Sequence, residues 1–177
     1  MAWIVKNSGT AEIDRREEPY LTAEIKAHFD KELIPRYERK QGAMLPLLHV
    51  IQKEHKFIPF QAMEEIAEYL GTSTAEVYDT ASFYEQFFTD HAIGTHLIQV
   101  CQSISCELCG STALLKKIEE KLGIIHHETT PDGKFTLLAL ECLGSCGTAP
   151  AVLVNETLYE DVTWEQLDKI IDELPDE

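Results

Sequence analysis

All five cysteines of this 177-residue chain lie in its second half, at Cys101, Cys106, Cys109, Cys142 and Cys146. An odd number of thiols, gathered into two short stretches, is a poor basis for a disulfide framework. Thiols clustered in this way point to metal or redox chemistry, and that chemistry requires the fold to bring two separate stretches together. Four residues separate Cys101 from Cys106, and three separate Cys142 from Cys146 in Glu141-Cys142-Leu143-Gly144-Ser145-Cys146-Gly147.

Each pair follows a strand signal. His96-Leu97-Ile98-Gln99-Val100 reads as a strand that delivers Cys101, and Phe135–Leu140 as a second strand ending just before Cys142. If the two strands are neighbours, both pairs project from one edge of a sheet and can converge. Gly144 and Gly147 would let the second loop bend closely around a bulky inorganic core and adopt positive φ. Four thiolates then suit Cys₄ ligation of a 2Fe–2S cluster, whose charge with its ligands is about −2 oxidised and −3 reduced. Spacing leaves rivals open. Cys101, Cys106, Cys109 and Cys142 also match the plant-type ferredoxin spacing. Cys106, Cys109, Cys142 and Cys146 could hold a structural zinc. Cys106-Glu107-Leu108-Cys109 could form a thioredoxin-type disulfide.

Around the cysteines the elements alternate. Ser111 can cap a helix carrying Leu114, Leu115, Ile118 and Leu122, closed by Gly123, and Pro131-Asp132-Gly133 is a turn signal. Ala151–Val154 and Thr157–Tyr159 read as two further strands joined by a turn at Asn155-Glu156. Thr163 and Gln166 form a capping box before a last helix with Leu167, Ile170, Ile171 and Leu174. The order β-α-β-β-β-α makes an α/β or α+β layer.

Residues 1–20 show no clear period, and residues 22–88 read as a small helical domain. Thr22 can cap a helix carrying Ile25, Phe29 and Leu33, with Pro35 at its end or kink. Met44, Leu47, Leu48 and Ile51 form one apolar stripe, and Met63, Ile66, Ala67 and Leu70 another that stops at Gly71. Ser73 and Glu76 form a capping box ahead of Val77, Thr80, Ala81 and Tyr84. The predicted organisation is therefore an extension at 1–20, a helical domain at 21–92 and a second domain at 93–177. The fold class is α+β, a helical bundle followed by an α/β domain.

The net charge of −16, from 31 acidic and 15 basic side chains, argues against nucleic-acid binding and against charge-driven docking on anionic membranes. No apolar run reaches the roughly 18 residues a membrane span needs. The N-terminus lacks the apolar stretch of a secretory signal, and Glu12, Asp14, Glu17 and Glu18 argue against a mitochondrial transit peptide. The expected location is cytoplasmic, with no direct membrane insertion. The acidic C-terminus, Asp172, Glu173, Asp176 and Glu177, reads as a solvated tail.

The cysteine segments and their neighbours closely resemble one family. Val100-Cys101-x₄-Cys106, Thr130-Pro131-Asp132-Gly133-Lys134-Phe135, Glu141-Cys142-Leu143-Gly144-x-Cys146 and Ala149-Pro150 resemble the thioredoxin-like ferredoxin subunit of bacterial NADH:quinone oxidoreductase. Counterparts of that subunit serve NAD-linked hydrogenases and formate dehydrogenases. Ile58-Pro59 and Ala81-Ser82-Phe83-Tyr84 agree with it too. The resemblance implies a thioredoxin-like fold for the second domain and one 2Fe–2S cluster on Cys101, Cys106, Cys142 and Cys146, with Cys109 a bystander. It also implies a partner subunit that binds NADH and FMN, and a place on the peripheral arm of a membrane complex. By itself the chain need not be an enzyme. A zinc-stapled structural subunit is the rival from another class.

The remaining candidates have plainer readings. His126-His127 read as a solvated loop, and no His accompanies the Cys in their loops as a Rieske centre would need. Phe83-Tyr84 and Phe87-Phe88 read as core rather than a partner-facing patch. Trp164 reads as a cover for the last helix. No G-x-G-x-x-G or Walker motif offers a nucleotide or flavin site.

Overall fold

The computed structural model describes residues 13–175, so Met1–Glu12 and the end of the acidic tail, Asp176 and Glu177, lie outside it. The chain divides into two units, Met1–Ala92 and Ile93–Glu177.

In the first unit, Thr22 caps α1 (Ala23–His28) with its hydroxyl on the Ile25 N–H. The predicted helix then loosens into a π-helical turn, Phe29–Leu33, and a 3₁₀ turn, Ile34–Arg36, as Pro35 approaches. Three helices follow: α2 (Met44–His55), α3 (Phe60–Leu70) and α4 (Thr74–Phe83). Their stripes meet in one core of Leu47, Leu48, Ile51, Met63, Ile66 and Val77, joined by Leu21 and Phe29. Gly71 ends α3 with a left-handed φ of 69°, and the Ser73/Glu76 capping box opens α4 as expected. Arg15 pairs with Glu64, and the Arg16 N–H donates to Gln61 Oε1 at 3.0 Å, so the residues before α1 lie along α3.

Of the aromatic quartet, Phe87 and Phe88 are buried, as the sequence predicts. Gln52 on α2 fixes that segment, donating to Gln86 O and accepting from the Phe88 N–H. Phe83 and Tyr84 depart from the core reading. Phe83 is 78% exposed and Tyr84 43%, because α4 ends at Phe83 and turns both rings out of its buried stripe.

The second unit holds a mixed five-stranded sheet in the order β2-β3-β1-β4-β5. Its strands are β1 (His96–Cys101), β2 (Glu128–Thr129), β3 (Phe135–Leu140), β4 (Val152–Val154) and β5 (Thr157–Tyr159). β1 and β3 run parallel, with His96 opposite Phe135 and Cys101 opposite Leu140. Parallel neighbours need a crossover, here supplied by α5 (Ile104–Leu108) and α6 (Ser111–Leu122). β4 returns antiparallel to β1, and the Asn155-Glu156 turn leads into β5. The final helix, α7 (Trp164–Glu173), carries the Thr163/Gln166 capping box. Ile98 and Val100 of β1 pack with Leu114 and Ile118 of α6 and Leu167 and Ile171 of α7. β3 is buried along its whole length, which explains its mostly apolar run, and the hydroxyl of its buried Thr136 is bonded to the Gly94 N–H and Thr129 Oγ1.

Three details differ from the sequence reading. α5 and β2 are additional elements. Ser111 is the first residue of α6 and not its cap; Gly110 caps it at φ 97°, accepting from the Ala113 and Leu114 N–H groups. Among the described residues, no helix is long and apolar enough to cross a membrane.

Candidate metal centre

The carboxyl ends of β1 and β3 form the site, because parallel neighbours finish at the same edge. Such ends are where open α/β sheets bind ligands. Cys101 is the last residue of β1 and is 1% exposed. Two residues later Ser103, in extended conformation, starts α5. A helix turns about 100° per residue, so side chains two apart face opposite ways. Cys106 accordingly points inward, 1% exposed, while Ile104 and Leu108 on the other face are 78% and 84% exposed. Cys101 and Cys106 pack with Ala151, Leu143 and Ala149.

The second loop leaves β3 at Leu140 and carries Cys142 and Cys146, both exposed. Gly144 takes φ 79°, which an L side chain adopts at a cost of about 1–2 kcal/mol, and its N–H donates to Cys142 Sγ at 3.2 Å. The other glycine singled out in sequence, Gly147, is not among the positive-φ residues, and a Cβ there meets nothing within 4 Å. Cys146 opens a 3₁₀ turn, Cys146–Thr148, and a cis Ala149–Pro150 bond leads to Ala151. Ala151 O then accepts from the Cys101 N–H at 3.2 Å, returning the loop to β1.

The two loops meet across a cavity of about 390 Å³ lined by Gln102, Ser103, Ile104, Ser105, Glu141 and Cys146. Gln102 Nε2 donates to Glu141 Oε1 at 3.1 Å, a direct bond from one loop to the other. Cys109 faces elsewhere, onto a cavity of about 380 Å³ with Gly110, Ala113, Lys117 and Trp164.

Local polarity distinguishes the two buried thiols. Burial raises the Cys101 pKa, but hydrogen bonding from the Ser103 side chain and N–H, the Leu143 N–H and the Cys106 thiol outweighs it, and the thiol falls below its ordinary value. Ser103 Oγ lies 3.4 Å from Cys101 Sγ. Cys106 is pushed up by burial and by the adjacent Cys101, with the Ala151 N–H opposing.

A 2Fe–2S cluster needs two thiolate ligands per iron and donors that offset its negative charge. The residues present fit it: each loop offers two thiols, and the Leu143, Gly144 and Ala151 N–H groups point at sulfur. The two pairs come from separate loops, and among the described residues no three His, Cys, Asp or Glu stand as one group that could hold a metal ion. Two histidines are held by other partners. His126 bonds Glu119 at 2.7 Å, and buried His96 bridges Asn155 and Pro175 O. Two contributors escape a sequence reading: Ser103, and Glu160, whose carboxylate accepts from Ser145 and Thr148 beside Cys146. A serine two residues past a strand-ending cysteine is the only signal for the first, and the second has none.

Residues 30–175 match the model of the family described as thioredoxin-like [2Fe-2S] ferredoxin. The E 2 subunit of the NADH-quinone oxidoreductase of Rhizobium meliloti (strain 1021) is 42% identical over 137 residues, 77% of this chain and 81% of that protein. The E-type subunit of the NADH-quinone oxidoreductase of Rickettsia conorii is 41% identical over 147 residues, 81% of this chain and 87% of that protein. Among solved structures, a chain of an NAD+-reducing [NiFe]-hydrogenase in the air-oxidized state superimposes with a TM-score of 0.63 at 22% identity. That match covers 73% of this chain and 22% of the hydrogenase chain, and it shows the fold.

Proposed function

The chain belongs to the thioredoxin-like [2Fe-2S] ferredoxin family, and from that premise we propose that it is an electron-transfer subunit carrying one 2Fe–2S cluster on Cys101, Cys106, Cys142 and Cys146. It takes single electrons from the flavin of an NADH-oxidising partner subunit in an NADH:quinone oxidoreductase-type complex. The observation that carries this reading is the parallel pairing of Cys101 with Leu140, which sets both cysteine loops at one end of the sheet.

When bound, the cluster would supply a one-electron couple that pairs with the two-electron chemistry of hydride donors. The chain's own residues do the rest. Cys101 and Cys106 are the buried ligands, and Cys142 and Cys146 the ligands at the protein surface. The Ser103 hydroxyl and the Leu143 and Gly144 N–H groups stabilise negative charge on sulfur and so favour the reduced form. Exposed Ile104 and Leu108 beside the loops exclude water once a partner covers them. On this reading residues 93–177 are the ferredoxin domain and residues 21–92 the docking domain, with 1–20 as an extension. The chain works in the cytoplasm, on the peripheral arm of its complex; NADH and FMN belong to the partner. The relatives at about 40% identity favour the quinone oxidoreductase setting over a hydrogenase or formate dehydrogenase.

Iron and acid-labile sulfide assays with EPR after dithionite reduction test the ligand set on wild type, Cys109→Ser and Cys146→Ser. The cluster should survive loss of Cys109 and be lost or altered without Cys146. An essential Cys109 with a dispensable Cys146 overturns the ligand assignment. Zinc in place of iron in wild type overturns electron transfer.

A further inference from the structure

The loop bearing Cys146 is tethered by a residue from another part of the fold. Glu160 follows β5, and its carboxylate accepts hydrogen bonds from Ser145 Oγ and Thr148 Oγ1, which lie 2.8 Å from each other. Those hydroxyls flank Cys146 in the chain, one residue before it and two after. Backbone bonds run beside the tether: Asp161 N–H to Thr148 O at 2.9 Å, Val162 N–H to Pro150 O at 3.2 Å, and Thr148 N–H to Ser145 O at 3.2 Å. Asp161 takes a left-handed φ of 46°, which turns the chain at this point. The two hydroxyl donors hold the Glu160 carboxyl below its ordinary range, so the group carries its charge at neutral pH. Glu160 is exposed and lies outside the packed cores. An exposed side chain with both of its partners on one ligand loop acts through that loop.

We propose that Glu160 is a positioning residue for the cluster, holding the Cys146 loop in its ligating conformation and setting a fixed negative charge beside it that lowers the reduction potential. The inference rests on the ligand assignment proposed above. Two physical effects are separable. Fixing the loop in advance removes the conformational entropy the loop would otherwise lose on ligation. A fixed anion near a centre that gains negative charge on reduction opposes that reduction by Coulomb repulsion, whatever the state of the loop.

Three variants of the full-length, cluster-loaded chain distinguish these effects, read by the EPR-monitored midpoint potential and by the rate of iron release to a chelator. Glu160→Gln keeps an acceptor oxygen and removes the charge, so its midpoint should rise while iron release stays near wild type. Glu160→Ala removes both, so its midpoint should rise and iron release should accelerate several-fold. Ser145→Ala combined with Thr148→Val keeps the charge and removes the tether, so it should accelerate iron release and move the midpoint less than Glu160→Gln does. An unmoved midpoint in Glu160→Gln, or wild-type iron release in Glu160→Ala, overturns the inference while leaving the ligand assignment intact. Absence of any 2Fe–2S signal in the wild type overturns both.

Discussion

Ser103 shows how one side chain is diverted from its usual work. A serine at a helix N-cap ordinarily accepts from a backbone N–H of the first turn. Ser103 begins α5 without such a bond, and its hydroxyl lies 3.4 Å from Cys101 Sγ instead. A donor at sulfur favours the more negative, reduced state. Ser103→Ala should therefore lower the midpoint potential, with the EPR lineshape and cluster content retained; a redox titration followed by EPR measures it. The change is opposite in sign to that expected for Glu160→Gln, so the pair brackets the local electrostatics from both sides. At this scale the sequence makes the thiols visible and hides their environment. The five cysteines stand out because spacing is a linear property, and it is the family resemblance that implies Cys101, Cys106, Cys142 and Cys146 as the four ligands. The Ser103 and Glu160 contacts are set by where a five-residue helix and a strand end happen to point.

Elements are legible in proportion to their length. The stripes of α2, α3, α6 and α7 repeat over at least ten residues, enough for a 3.6-residue period to declare itself. α5 has five residues and β2 two, too few for any period, and each is held by its surroundings. Ser111 reads as a cap because serine is a good one. The chain must instead leave α5 and enter α6 within Cys109-Gly110, a reversal that demands a positive φ and so puts glycine at the cap. α6 and α7 are joined at the surface by Lys121, whose ammonium lies 2.6 Å from both Asp168 and Asp172. Hydrogen bonds to the two carboxylates raise the Lys121 pKa above its ordinary 10.5. Lys121→Met should cost about 1 kcal/mol, the scale of a surface ion pair, seen as a lower melting temperature at neutral pH. Since the raised pKa belongs to the folded state, the contribution is complete below pH 10.5 and is lost as pH climbs through the raised value. The gap between variant and wild type should also shrink in high salt.

For the molecule as a whole, the division into a helical half and a cysteine-bearing half is readable from the change of pattern near Gly94. Family resemblance supplies the thioredoxin-like fold, which four short strands and two helices would not specify alone. What the sequence conceals is which aromatic residues remain outside. Exposed Phe83 and Tyr84 stand edge to face with ring centroids 5.2 Å apart, and a compact aromatic pair of this kind is typical of an interface anchor. Phe83→Ala should weaken co-purification with the flavin-binding partner subunit proposed above by tenfold or more (a loss of about 1.4 kcal/mol) and leave the EPR spectrum of the isolated chain unchanged. Pull-down titration with the tagged partner measures this.

The pairing of β1 with β3 also dictates an order of events in the life of the chain. The two halves of the proposed ligand set come from the β1–α5 stretch and from the loop after β3, separated in the chain by α6, and they become neighbours only when Cys101 and Leu140 come into register. Non-local parallel pairings of this type close late in folding. A nascent chain released before β3 emerges can offer only one pair of ligands. On the ligand assignment proposed above, the chain offers all four thiols to a cluster only once that pairing has formed.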